Sequence, residues 1–208
     1  MGKKTDKIIR SISKKNQEVY IGLTGSMASG KGELAKCLLN LNFSYISLSD
    51  MVRDAARKRG LKKVNRQDMQ DIGNELRKQG GPGVLARQIR EKINSDRKKT
   101  WVIDGIRNPA EVVELRELPH FYLIGITSDL KILLERINSR KRDTDLAPIS
   151  EMREVIQREW GNGESEEGQQ VGRCMDLADF TIENNGTLEE LQRKCQEILR
   201  KIEAKNGG

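Results

Sequence analysis

Short apolar, β-branched runs alternate along the chain with longer stretches in which apolar side chains recur every three or four positions. The runs Val19–Thr24, Phe43–Ser47, Thr100–Asp104, Phe121–Thr127 and Phe180–Glu183 read as strands. The stretches Glu33–Leu41, Ser49–Arg59, Gln67–Lys78, Val84–Ile93, Leu130–Arg140 and Leu188–Ile202 read as amphipathic helices, with Thr187 as the N-cap of the last. Strands that alternate with helices predict a parallel sheet covered on both faces. Tyr20-Ile21-Gly22-Leu23 offers little polar alternation, which places the first strand in the middle of that sheet. Residues 19–203 read as a single domain, preceded by a basic extension over 1–18 and followed by a polar tail from Ala204.

Composition narrows the class. A chain of 208 residues, 36% hydrophobic and 33% charged, suits one core, and no apolar run reaches the roughly 20 residues of a membrane helix. The first residues lack the apolar stretch of a secretory signal, and Cys37, Cys174 and Cys195 are too scattered for a disulfide framework, so a reducing, cytoplasmic setting is expected. A net charge of +7 fits nucleic acid, an acidic membrane surface or a polyanionic small molecule. With only 4% aromatic residues and no long basic stripe, nucleic acid is the weaker of these expectations.

The chemistry concentrates after the first strand, in Gly25-Ser26-Met27-Ala28-Ser29-Gly30-Lys31, a G-x-x-x-x-G-K loop that runs into the helix beginning near Glu33. Glycines at both ends allow successive amides to turn inward around a phosphate, the helix N-terminus adds partial positive charge, and Lys31 bridges the outer phosphates. Gly32 stands where many such loops carry a Ser or Thr hydroxyl for magnesium, so the metal would rest on phosphate oxygens, water and a carboxylate, with Ser29 as a further candidate. In Trp101-Val102-Ile103-Asp104-Gly105-Ile106-Arg107, Asp104 ends a strand beside the loop and either organises a metal-bound water or caps the helix that follows Asn108-Pro109. Asp50 and Arg53 lie three apart on a first helical turn, so they project to one side, and taken alone they suit a capping aspartate and a weak surface pair. Arg57, Arg59, Arg66, Arg77 and Arg87 populate the helical segment 50–98; each is read either as part of a solvated face or as a ligand contact, and Arg77, beside Leu76 in an apolar-faced turn, is the preferred contact. Arg136, Arg140, Lys141, Arg142, Asp143, Asp145, Arg153 and Arg158 make residues 136–160 either an arginine-rich lid or a solvated charge run.

These strings resemble the nucleoside monophosphate kinase branch of P-loop kinases over most of the chain, from Val19 to Leu199. G-K-G-E is similar to the G-K-G-T of adenylate kinases, Asp104 to Arg107 to their D-G-F-P-R, and Ile46 to Arg53 to their I-S-T-G-D-x-x-R. Ala178 to Thr187 is similar to the A-D-x-x-I-x-N-x-G-T ending of dephospho-CoA kinases, whose turn backs onto adenine. The resemblance implies a three-layer α/β P-loop fold with about five parallel strands and a short helical lid. It implies transfer of a phosphoryl group from ATP, with magnesium, to a nucleotide-like small acceptor. Gly25 to Glu33, Arg136, Arg140, Asn185 and Gly186 would hold ATP, and Asp50, Arg53, Arg77 and Arg107 the acceptor. Lys31, Asp50, Asp104, Arg140 and Arg153 would assist the transfer. The alternative is a nucleotide-dependent ATPase switch that binds RNA or a protein partner.

Overall fold

The computed structural model describes residues 18–140 and 149–206. Its sheet consists of β1 (Val19–Thr24), β2 (Ser44–Ser47), β3 (Thr100–Ile106), β4 (Phe121–Thr127) and β5 (Phe180–Glu183). The strands run in the order β2-β3-β1-β4-β5, and every pairing is parallel. All six residues of β1 are buried, as its unbroken apolar character requires of a central strand. From β1 the chain builds one side of the sheet and then crosses to the other, so a crevice opens beyond the carboxyl ends of β1 and β3, where ligands of such sheets bind.

Helices α1 (Lys31–Leu39) and α9 (Leu188–Asn206) cover one face, burying Leu34, Leu38, Leu191, Ile198 and Ile202 against Ile21, Leu23 and Val102. On the other face lie α2 (Leu48–Lys58), α3 (Arg66–Gly80), α4 (Val84–Asn94), α5 (Pro109–Leu115) and α8 (Val171–Asp176), around Leu48, Leu85, Ile89, Ile103, Val112 and Cys174. Helices α6 (Leu130–Arg140) and α7 (Ile149–Trp160) form a smaller cluster of their own, in which Leu133, Ile137, Met152 and Ile156 pack on Met27 of the Gly-rich loop. The three-layer expectation therefore holds. Among the described residues, no helix is long and apolar enough to cross a membrane.

Local chemistry fixes the ends of these elements. Thr187 caps α9 through a reciprocal pair with Glu190, as predicted. Asn108 caps α5: its side chain accepts from the Ala110 amide, with Pro109 in the first turn. That cap belongs to Asn108, which leaves Asp104 for other work. Strand β3 continues two residues past the predicted Asp104 because it carries a bulge there. Leu23 pairs with Asp104 but Thr24 pairs with Ile106, and the intervening Gly105 adopts a φ of 84°. Such a left-handed residue is easy only for glycine, and the kink re-aims the strand end beside the crevice.

Candidate active site

The loop between β1 and α1 holds three residues at positive φ: Gly25 at 135°, Ala28 at 59° and Gly30 at 108°. A side chain at Gly30 would collide with the Asn184 carboxamide, so the loop also depends on glycine for close approach. Left-handed residues of this kind let the loop curl tightly between strand and helix, and a non-glycine residue held there marks strain retained at a functional site. The loop is braced from outside. Asn184 donates to the Ser29 carbonyl at 2.8 Å, and Arg136 donates to the Ser128 hydroxyl at 3.1 Å and reaches the Ala28 carbonyl at 3.5 Å.

Lys31 lies on the cleft floor, where its ammonium donates to the Gly25 and Ser26 carbonyls at 2.6 and 2.8 Å. Burial, with the nearby Arg107 charge, brings its pKa down to about 8 against the opposing pull of Asp104 and Glu159. Phosphate oxygens replacing those carbonyls would restore full protonation.

Glu159, near the C-terminal end of α7, reaches back to the same place. Its carboxylate accepts from the Met27 amide at 2.8 Å and pairs with the Arg107 guanidinium, and Glu159 is only 1% exposed. Burial alone would raise its pKa, but the charges of Arg107, Lys31 and Arg66 and the Met27 amide outweigh it and hold the group below the usual carboxylate range. Arg107 is oppositely placed: burial would lower its pKa, and the carboxylates of Glu159, Asp104 and Glu111 together offset that and raise it. Sequence reasoning missed Glu159. The signal was present, because Met152, Ile156 and Glu159 recur at i, i+4 and i+7, which sets a carboxylate on the apolar face of α7.

The cleft has a volume of about 680 Å³ and brings together Lys31, Asp104, Arg53, Arg66, Arg107 and Arg136. Ser47, Ser49 and Tyr45 line it toward β2, and Gly186, Thr187, Leu188 and Leu191 toward α9. Asp104 accepts from the Tyr45 hydroxyl at 3.0 Å through Oδ2, while Oδ1 is buried with no hydrogen-bond partner. The Ser26 and Ser29 hydroxyls are likewise buried without partners. These orphaned atoms beside the Gly-rich loop fit a polyphosphate with a hydrated divalent cation: the hydroxyls would meet phosphate oxygens, and Asp104 Oδ1 would accept from a metal-bound water.

A sequence profile described as an AAA domain matches residues 21–168. A UPF0200 protein of Pyrococcus horikoshii is 34% identical over 189 residues, which cover 88% of this chain and 97% of the relative. The chain belongs to the AAA-domain family and to the UPF0200 proteins. Among solved structures, the shikimate kinase of Aquifex aeolicus superposes with a TM-score of 0.53 at 19% identity, covering 91% of this chain and 100% of that one. A gluconokinase of Sinorhizobium meliloti gives 0.53 at 12% identity, with 90% and 94% covered. The fold is thus that of P-loop kinases.

Within this UPF0200 chain, several predicted site residues lie elsewhere. Arg77 does not face the cleft: it is 2% exposed and its guanidinium donates to Glu111 at 2.9 and 2.8 Å, a buried structural pair. Arg153 faces a shallow hollow lined by Leu130, Leu134 and Asn138, because it is one residue, about 100° of helix, away from the inward-facing Met152. The Asn185 carboxamide accepts from the Asp129 amide, and the neighbouring Asn184 takes the place at the cleft. Asp50 forms a half-exposed pair with Arg53 at 2.6 Å and does not line the cleft, whereas Arg53 does. The side chain of Arg140 and residues Lys141, Arg142, Asp143 and Asp145 lie outside the described residues, as does the 1–17 portion of the N-terminal extension.

Proposed function

We propose that this protein catalyses magnesium-dependent transfer of the γ-phosphoryl group of ATP to a small phosphorylated acceptor of the nucleoside monophosphate or dephospho-CoA kind. The observation that carries this reading is the convergence of Lys31 and four arginines on one cleft that also contains Asp104. A lone P-loop accounts for Lys31 and one or two cations, whereas this number of positive groups suits two polyanions brought end to end.

The donor end comprises the loop amides, Arg136 and the turn at Asn184 to Thr187, with Leu188 and Leu191 as an apolar wall for a base. The acceptor end comprises Ser47, Ser49, Arg53, Arg66 and Arg107. Between them, Lys31 neutralises the transferring group, and Asp104 either orients a water or accepts the acceptor's proton. Magnesium, when bound, spreads the developing charge over the outer phosphates. Glu159 fixes Arg107 and the Met27 amide in place and so couples α7 to the loop. Catalysis in this arrangement is positioning and electrostatics.

Arg53→Ala tests the reading cleanly. The Asp50–Arg53 pair is half exposed and contributes little to folding. Loss of one charge-assisted contact to an acceptor phosphate is expected to raise the acceptor KM by about 10- to 100-fold, with ATP affinity and acceptor-independent turnover unchanged. An equal fall in every parameter would contradict an acceptor role. Arg107→Ala is less informative, since it strands the buried Glu159 carboxylate.

A further inference from the structure

Gly32 leaves the loop without the hydroxyl that many P-loops offer a cation, and packing does not impose this. A Cβ built there meets nothing within 4 Å. Tyr45, 41% exposed, lines the same cleft as Gly32. Strands β2 and β3 run parallel with Ser47 opposite Asp104. Tyr45, two residues before Ser47, therefore lies on the same face of β2, and its long side chain spans the offset to bond Asp104 Oδ2 at 3.0 Å.

That bond fixes the carboxylate with one oxygen occupied and the other, Oδ1, buried and without a donor. A buried acceptor left unpaired costs about 1–3 kcal/mol, which a water of a hydrated divalent cation would relieve. We propose that Tyr45 is a positioning residue for the cation that accompanies the nucleotide. Its hydroxyl locks Asp104 so that Oδ1 faces the cation's water shell, and the Tyr45–Asp104 pair supplies the orientation that a P-loop hydroxyl at position 32 supplies elsewhere. Outer partners of this kind commonly change metal affinity by about 10- to 100-fold when removed. This rests on the nucleotide-binding reading above.

The test uses Mn²⁺ as the probe with the full chain and ADP. Free Mn²⁺ is followed by electron paramagnetic resonance, and metal-free ADP binding by calorimetry. Tyr45→Phe keeps the ring and removes the hydroxyl. It is expected to weaken Mn²⁺ binding to the protein–ADP complex about tenfold, with metal-free ADP affinity and thermal stability unchanged. Adding Gly32→Ser to Tyr45→Phe is expected to recover most of the loss, because the open space at position 32 accepts the new hydroxyl. Unaltered Mn²⁺ affinity in Tyr45→Phe, or an equal loss of metal-free ADP binding, would overturn the proposal. Failure of the parent chain to bind ADP at all would instead defeat the phosphoryl-transfer reading beneath it.

Discussion

Lys31→Met is expected to lower phosphoryl transfer by about 10²- to 10³-fold, the usual consequence of removing one preorganised charge from a transition state. The same residue gives nucleotide binding a pH dependence of definite sign. With a pKa of about 8 in the free protein, Lys31 is charged at neutral pH and loses its proton as the pH rises above 8. Bound phosphates favour the ammonium, so binding above pH 8 must take up a proton. ATP affinity should therefore be flat below about pH 7 and fall by up to about tenfold per unit above 8. In Lys31→Met that fall should vanish while the residual weak binding stays level. Calorimetry of ATP binding from pH 6.5 to 9.5 on both proteins measures it, and a fall of the same slope in Lys31→Met would assign the titration to another group.

Arg77→Met is expected to act on stability instead. Arg77 and Glu111 are 2% and 0% exposed, and the other Glu111 oxygen accepts from the Arg107 and Asn108 amides at 2.8 and 3.0 Å. Removing the guanidinium leaves a buried carboxylate without its counter-charge, a change that costs about 3–5 kcal/mol. For a chain of this length the melting temperature should fall on the order of 10 °C. Urea denaturation gives the free energy directly. A large stability loss with acceptor KM unaltered is the expected pattern, whereas a stable variant with a raised acceptor KM would return Arg77 to the acceptor site.

Arg77 illustrates what sequence reveals and what it does not. Its place beside Leu76 in a basic helix is equally consistent with a ligand contact and with a buried ion pair, and only the tertiary fold brings Glu111 of α5 to it. The parallel sheet was legible because its strands are apolar runs with clear ends: Val19–Thr24, Phe121–Thr127 and Phe180–Glu183 agree residue for residue with the reading. The end of β3 was not, because the bulge at Gly105 depends on its neighbours. Helix α8, only six residues long, is too short to display a period.

At the site, the loop from Gly25 to Lys31 and the strand-end Asp104 were readable as local strings. Tyr45 and Glu159 were not, since each acts across the fold. The Tyr45 hydroxyl meets an aspartate 59 positions on, and Glu159 binds a loop amide 132 positions back. The family resemblance implied a site role for Arg153, but its direction follows the helical phase of Met152 and Ile156, which turns it to the hollow beside Leu130 and Leu134.

The central claim is most directly tested by ADP release from magnesium-ATP, alone and with AMP, CMP, UMP, GMP, their deoxy forms and dephospho-CoA in turn. The account predicts that one acceptor stimulates turnover and is recovered with an added phosphoryl group. ADP release indifferent to every phosphorylated acceptor would contradict it and favour an ATPase whose cleft closes without passing the phosphoryl group to a second molecule.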